Sequence, residues 1–148
     1  MYIQLNKYLC LVISVALIIA HICILSGTSG FNLFTPAILI SITFLLFFNT
    51  FKFPLIPRTI TLYVLFAMYD IGIKLFDTSP HFRQHQAYLE GVMILGLIPS
   101  LFIIIISLFK SYNTPSFIKV FSLLILVTLF YIHHSVFYEL GLGRNLKG

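Results

Sequence analysis

The chain alternates long, uninterrupted apolar runs with short breaks of polar residues, glycine and proline. Five runs stand out, at residues 8–25, 34–51, 59–76, 87–109 and 117–137. Each approaches or exceeds the roughly 20 apolar residues a helix needs to cross a hydrocarbon layer of about 30 Å. Membrane-spanning strands would alternate polar and apolar positions over about ten residues. These runs do not alternate. The pattern therefore predicts an all-α protein: a polytopic integral membrane helix bundle of about five transmembrane helices, forming a single transmembrane domain over residues 1–148.

The breaks have their own logic. Ser26-Gly27-Thr28-Ser29-Gly30 closes the first run, and Pro36 suits the first turn of the second. Residues 52–58, with Pro54, Pro57, Lys52 and Arg58, read as a short loop at a membrane face. Ser79 followed by Pro80 is a helix-start signal, an N-cap with proline at the first helical position. It gives the fourth run an amphiphilic lead-in over residues 81–86. Gly96 and Pro99 are expected to kink that helix, and Asn113-Thr114-Pro115 marks the last turn. The first run resembles a signal-peptide core in composition, but it is long and no small-residue cleavage site follows it. It is read as a retained helix.

Composition agrees with the pattern. Hydrophobic residues make up 59% of the 148 positions and charged residues 9%, far below the quarter or so that a water-facing surface uses. The formal net charge is +5, yet the cations are scattered over loops and helix ends, where they set orientation and meet anionic headgroups. No nucleic-acid role follows from them. Cys10 and Cys23 lie on one helix, about 20 Å apart at 1.5 Å per residue, too far for a disulfide. They read as packing residues.

With five spans, Lys7, Lys52, Arg58, Lys110 and Lys119 share the N-terminal side, and Lys74, Arg83, Arg144 and Lys147 the other. This balance and an uncharged first loop favour the N-terminus inside and the C-terminus outside, in a plasma (inner) membrane. The same topology sorts the chemistry. All four carboxylates (Asp70, Asp77, Glu90 and Glu139) and all five histidines (His21, His81, His85, His133 and His134) fall toward the side away from the N-terminus.

Candidate sites follow from that grouping. Asp70 and Lys74, four residues apart on one helix face, form an expected intramembrane ion pair. Charges in hydrocarbon are costly alone and tolerated when paired. The pair reads either as a proton or ion relay or as a structural pair with Lys74 snorkelling outward. His81 and His85 stand one turn apart, and His133-His134 lie at a similar depth on another helix. The four could ligate zinc or non-haem iron, with Glu90, Asp77 and Glu139 completing the shell, or with Glu90 or Asp77 acting as acid/base. The plainer reading is interfacial histidines touching headgroups and loop carbonyls. His21, alone on an apolar helix, is expected to hydrogen-bond inside the bundle.

No nucleophile elbow, phosphate-binding loop, dinucleotide fingerprint or cysteine metal motif is present. Three functions remain open. The first is a non-enzymatic accessory or interaction protein, partnered by the lipid bilayer and by another membrane protein or a second copy. The second is a metal-dependent membrane enzyme acting on a lipid or lipid-linked substrate. The third is a small proton- or ion-coupled carrier using Asp70 and Lys74.

Overall fold

In the computed structural model of the protein, residues 6–25, 34–49, 54–76, 82–110 and 114–137 are described. They form five α-helices: α1 (Lys7–Leu25), α2 (Thr35–Asn49), α3 (Leu55–Phe76), α4 (Phe82–Lys110) and α5 (Ser116–Phe137). The protein is all-α, a helical bundle, with one helix for each apolar run. Three of the helices are long and apolar enough to cross a membrane, over Leu55–Leu75, Tyr88–Lys110 and Ser116–Phe137. The apolar stretches Tyr8–Ile24 of α1 and Thr35–Phe48 of α2 are shorter. At 1.5 Å per residue, the 15 residues of α2 rise about 22 Å.

One boundary differs from the sequence expectation. α3 starts at Leu55, so residues 55–58 are helix and not loop. Pro57 was the loop signal, but it occupies the first turn, where a missing N–H costs nothing because those N–H groups have no intrahelical acceptor. The Arg58 N–H already bonds back to the Pro54 carbonyl at 3.1 Å. The lead-in to the fourth run is helical from Phe82 onward, in keeping with the helix start read at Ser79 and Pro80. α4 continues through Pro99 as one helix. Pro99 cannot supply the hydrogen bond that the Leu95 carbonyl would accept, and one residue on, the Ser100 hydroxyl donates to the Gly96 carbonyl at 2.8 Å.

Cross-helix contacts fix the directions. Gly96 of α4 lies against Pro36 and Leu39 near the start of α2, while Ser107 donates to the Phe47 carbonyl near the end of α2. The two helices therefore run parallel. α3 and α5 run parallel in the same way, with Tyr63 against Phe130 at one level and Lys74 against Phe137 at another. Chain direction thus alternates from helix to helix. α2 and α3 are the inner pair. α1 packs on both, α4 packs chiefly on α2, and α5 chiefly on α3.

The core follows this layout. Leu39, Ile42, Leu46 and Phe47 of α2 and Leu62, Leu65, Phe66, Tyr69 and Ile73 of α3 are buried, closed by Ile18, Ile104, Leu108 and Leu126 from the outer helices. Four of the buried hydroxyls, those of Ser14, Thr43, Thr59 and Ser100, are satisfied within their own helices. Ser14, Thr43 and Thr59 donate to the carbonyl four residues back at 2.8, 2.8 and 3.0 Å. Such bonds let a helix carry polar side chains into an apolar interior without an orphaned hydrogen. Cys10 is buried as a packing residue, whereas Cys23 is exposed.

Candidate functional site

Two polar assemblies flank α3 near its C-terminal end, and they start from neighbouring residues. Successive residues on a helix point about 100° apart. Tyr69 therefore faces α1 and α2, and Asp70 faces α5.

On the α5 side, one carboxylate oxygen is shared. The Lys74 ammonium lies 2.7 Å from Asp70 Oδ2. His133 Nε2 of α5 lies 2.9 Å from the same atom. A carboxylate only accepts, so Nε2 carries the hydrogen in this contact. Lys74 also donates to the Phe137 carbonyl at 3.2 Å. Phe137 ends α5, and the last four carbonyls of a helix have no intrahelical donor. A cation there also meets the negative end of the helix dipole. The snorkelling expected of Lys74 is accordingly replaced by an inward reach: its side chain is only 10% exposed, and it joins α3 to the end of α5. His133 packs between Phe137, at 4.8 Å between ring centres, and Tyr63, edge-on at 6.0 Å. Its Nδ1 atom is buried without a hydrogen-bond partner.

On the other side, His21 Nδ1 lies 2.7 Å from the Tyr69 hydroxyl, and that hydroxyl donates to Thr35 Oγ1 at 3.2 Å. A phenol has one hydrogen to give. With that hydrogen on Thr35, His21 Nδ1 is the donor to the Tyr69 oxygen. All three residues are buried, so α1, α2 and α3 share one polar knot. His21 thus bonds inside the bundle. Tyr69 and Thr35 were not read from sequence as site residues. The available signal was depth, since Tyr69 precedes Asp70 and sits late in the third run, as His21 sits late in the first.

The proposed metal and acid–base residues are spread more widely. His133 is buried against α3, whereas His134, its neighbour, is exposed. Consecutive positions on a helix diverge, so the two imidazoles do not converge on one point. Glu90 is half-buried on α4, two turns before Gly96. His85 lies in the first turn of α4, and its side chain is not among those described; His81, Asp77 and Glu139 lie outside the described residues. Among the described residues, no three or more His, Cys, Asp or Glu side chains are grouped to hold a metal ion.

At the opposite end of the bundle, Arg58 is buried on α3, with its guanidinium carbon 5.6 Å from the centre of the Phe47 ring. Reading residues 52–58 as a loop put this cation at the surface. Its place in the first turn of α3 turns it instead onto α2.

Compared with family models, curated proteins and solved structures, the chain finds no match in any of the three. Its class therefore rests on its own architecture: an all-α bundle with three helices long and apolar enough to cross a membrane and a part-buried Asp–Lys–His cluster between α3 and α5.

Proposed function

We propose that the chain is an integral membrane protein crossing the bilayer five times, N-terminus inside. In this reading it works through helix contacts within the membrane, as a non-enzymatic accessory or interaction protein. The observation that carries the reading is the closure of the intramembrane charges. Asp70 is held by Lys74 and His133, and Lys74 is held in turn by the end of α5. Charges arranged in this way fix one helix on another. They leave the outer faces of α4 and α5, with Ile98, Phe102, Ile106, Leu124, Val127 and Tyr131 exposed, for lipid or a partner. Hydrocarbon gives no hydrophobic drive between helices, so polar pins and close packing hold such a bundle together.

A second reading draws on one observation. His133 Nδ1 is buried without a partner, beside a carboxylate that shares its other nitrogen. An imidazole so placed can pass a proton from one nitrogen to the other, as a proton-coupled carrier requires.

One experiment separates the two. The full chain and its Asp70→Asn variant are reconstituted in vesicles loaded with a pH dye and challenged with a potassium-diffusion potential. The accessory reading expects proton flux equal to that of empty vesicles in both, with a lower unfolding temperature for the variant. Flux in the parent that Asp70→Asn abolishes would overturn it in favour of the carrier.

A further inference from the structure

α2 is the shortest of the five helices, and its missing length falls at one end. It has 15 residues, whereas the apolar span of α4, Tyr88–Lys110, has 23. The difference of eight residues is about 12 Å at 1.5 Å per residue. Two contacts show where it lies. At the end of α2 the Lys110 ammonium stands 5.7 Å from the centre of the Phe48 ring, so α2 and the span of α4 finish at one level. At its start Pro36 faces Gly96, where an added Cβ would lie 2.8 Å from the Pro36 Cα. Gly96 is eight residues along α4 from Tyr88, again about 12 Å. α3 supplies an independent measure. The Tyr69 hydroxyl donates to Thr35 Oγ1 at 3.2 Å, so the first residue of α2 is level with Tyr69. The span of α3 continues to Leu75, six residues or about 9 Å further. Both neighbours thus place the start of α2 about 10 Å inside the layer that their own spans cross.

That layer meets the surface of the bundle at this level. Leu75 of α3 and Ile94 and Leu95 of α4 are exposed apolar side chains, and Tyr88 is exposed at the rim, where an amphipathic ring suits the headgroups. α2 reaches the surface too. Phe34, Ala37, Ser41 and Phe44, three or four residues apart, are exposed along one stripe. The chain enters α2 from the polar sequence Ser26-Gly27-Thr28-Ser29-Gly30. Hydrocarbon offers no partner to backbone outside a helix, which is found at membrane depth only against protein or water. A bilayer beside a short apolar surface thins to match it. The buried His21–Tyr69–Thr35 knot lies at the same level.

We propose that the exposed start of α2 is a surface for lipid headgroups. On the side away from the N-terminus the bilayer is drawn in there by about 10 Å, the length by which α2 falls short. Headgroups and water then reach the depth of the His21–Tyr69–Thr35 knot, while the faces of α3 and α4 at that depth stay in hydrocarbon. The proposal rests on the membrane-embedded reading above.

The test is thiol labelling in native membranes opened so that both faces are reached. The full chain carries Cys10→Ala and Cys23→Ala, with one new cysteine at a time at an exposed position. Phe34→Cys reports the start of α2. Met68→Cys and Leu95→Cys report the same depth on α3 and α4, Phe44→Cys the middle of the layer, and Tyr88→Cys its rim. A membrane-impermeant maleimide reacts with the hydrated thiolate, and each rate is normalised to labelling of the same variant unfolded in dodecyl sulfate. Phe34→Cys is expected to react about tenfold or more faster than Met68→Cys, Leu95→Cys and Phe44→Cys, and close to the rate of Tyr88→Cys. Ala37→Cys, one turn along the same stripe, gives a second reading and should fall between Phe34→Cys and Phe44→Cys. Phe34→Cys as slow as Met68→Cys and Leu95→Cys overturns the proposal and leaves the membrane reading standing. Met68→Cys and Leu95→Cys as fast as Phe34→Cys, with Phe44→Cys slow, also overturns it, because the layer is then uniformly thin. Fast labelling at Met68→Cys, Leu95→Cys and Phe44→Cys together sinks the membrane reading itself, since no hydrocarbon then covers these faces.

Discussion

α4 and α5 solve the same problem by different means. Each is an outer helix packed chiefly on one inner neighbour and running parallel to it. α4 meets α2 by shape. Gly96 lets the backbones approach until an added Cβ would lie 2.8 Å from the Pro36 Cα and 2.7 Å from the Leu39 side chain. Ile104 and Leu108 extend the seam. α5 meets α3 by charge and aromatic edges: Asp70, Lys74 and His133, with Phe130 tilted against Phe66 and edge-on to Tyr63. The span of α5 is only 17% buried, against 33% for that of α4. A helix with so little buried surface gains little from dispersion, so a few polar contacts carry its attachment. Close packing makes α4 intolerant of added volume, and charge makes α5 intolerant of lost partners.

This contrast can be broken at chosen residues. The largest effect is expected from Gly96→Leu. The obstacle is partly the backbone of Pro36, which cannot swing aside as a side chain can. A loss of about 3 kcal/mol or more is expected, seen as a collapse of the melting midpoint read by a thiol-reactive dye on buried Cys10 and as exposure of the Phe47–Ser107 seam to cross-linkers.

Asp70→Leu should follow at roughly 3 kcal/mol, because it strands the mostly buried Lys74 ammonium. The double variant Asp70→Leu/Lys74→Met should recover much of that loss, since replacing a whole buried pair by apolar groups is far cheaper than removing one member. A double variant no better than the single would show that the charges do more than pin α5. Engineered cysteines at Tyr63 and Phe130 would report the same release, with a disulfide yield that falls in Asp70→Leu and holds in Gly96→Leu.

Tyr69→Phe should cost about 1–2 kcal/mol, because His21 and Thr35 both lose a buried partner. It should leave the α3–α5 disulfide yield unchanged, separating the two faces of α3. The smallest effect is expected at Gly91, where an added Cβ meets nothing within 4 Å. Gly91→Ala should be neutral or stabilise by less than about 1 kcal/mol through helix propensity. A marked loss there would mean that a partner or a second copy packs on this face of α4.

Much of the architecture was legible along the chain, because an apolar run about 20 residues long has few other structural outcomes. Five runs became five helices. The ends were less legible, and Pro57 shows why. The same residue signals a loop or a first helical turn depending on hydrogen bonds made by its neighbours, and periodicity does not encode those. Of the candidate chemistry, the i, i+4 spacing already placed Asp70 and Lys74 on one face. It could not say that the face was turned to α5, or that His133 would meet it.

What the sequence determined by itself was local. Runs of Ile, Leu and Phe must satisfy their backbones as helices in an apolar medium, and a short-range pair of opposite charges must share a face. What only the tertiary structure decided was which helix lies beside which. That choice turned Arg58 from a loop cation into a buried one on Phe47, and made Lys74 a cap for the end of α5. It also parted His133 from His134 and joined His21, Tyr69 and Thr35 across three helices. The physical reason is that the rotation of one apolar helix against another is set by a few contacts far apart in the chain, such as a glycine facing a proline or a lysine facing a terminal carbonyl, and no local pattern carries that information.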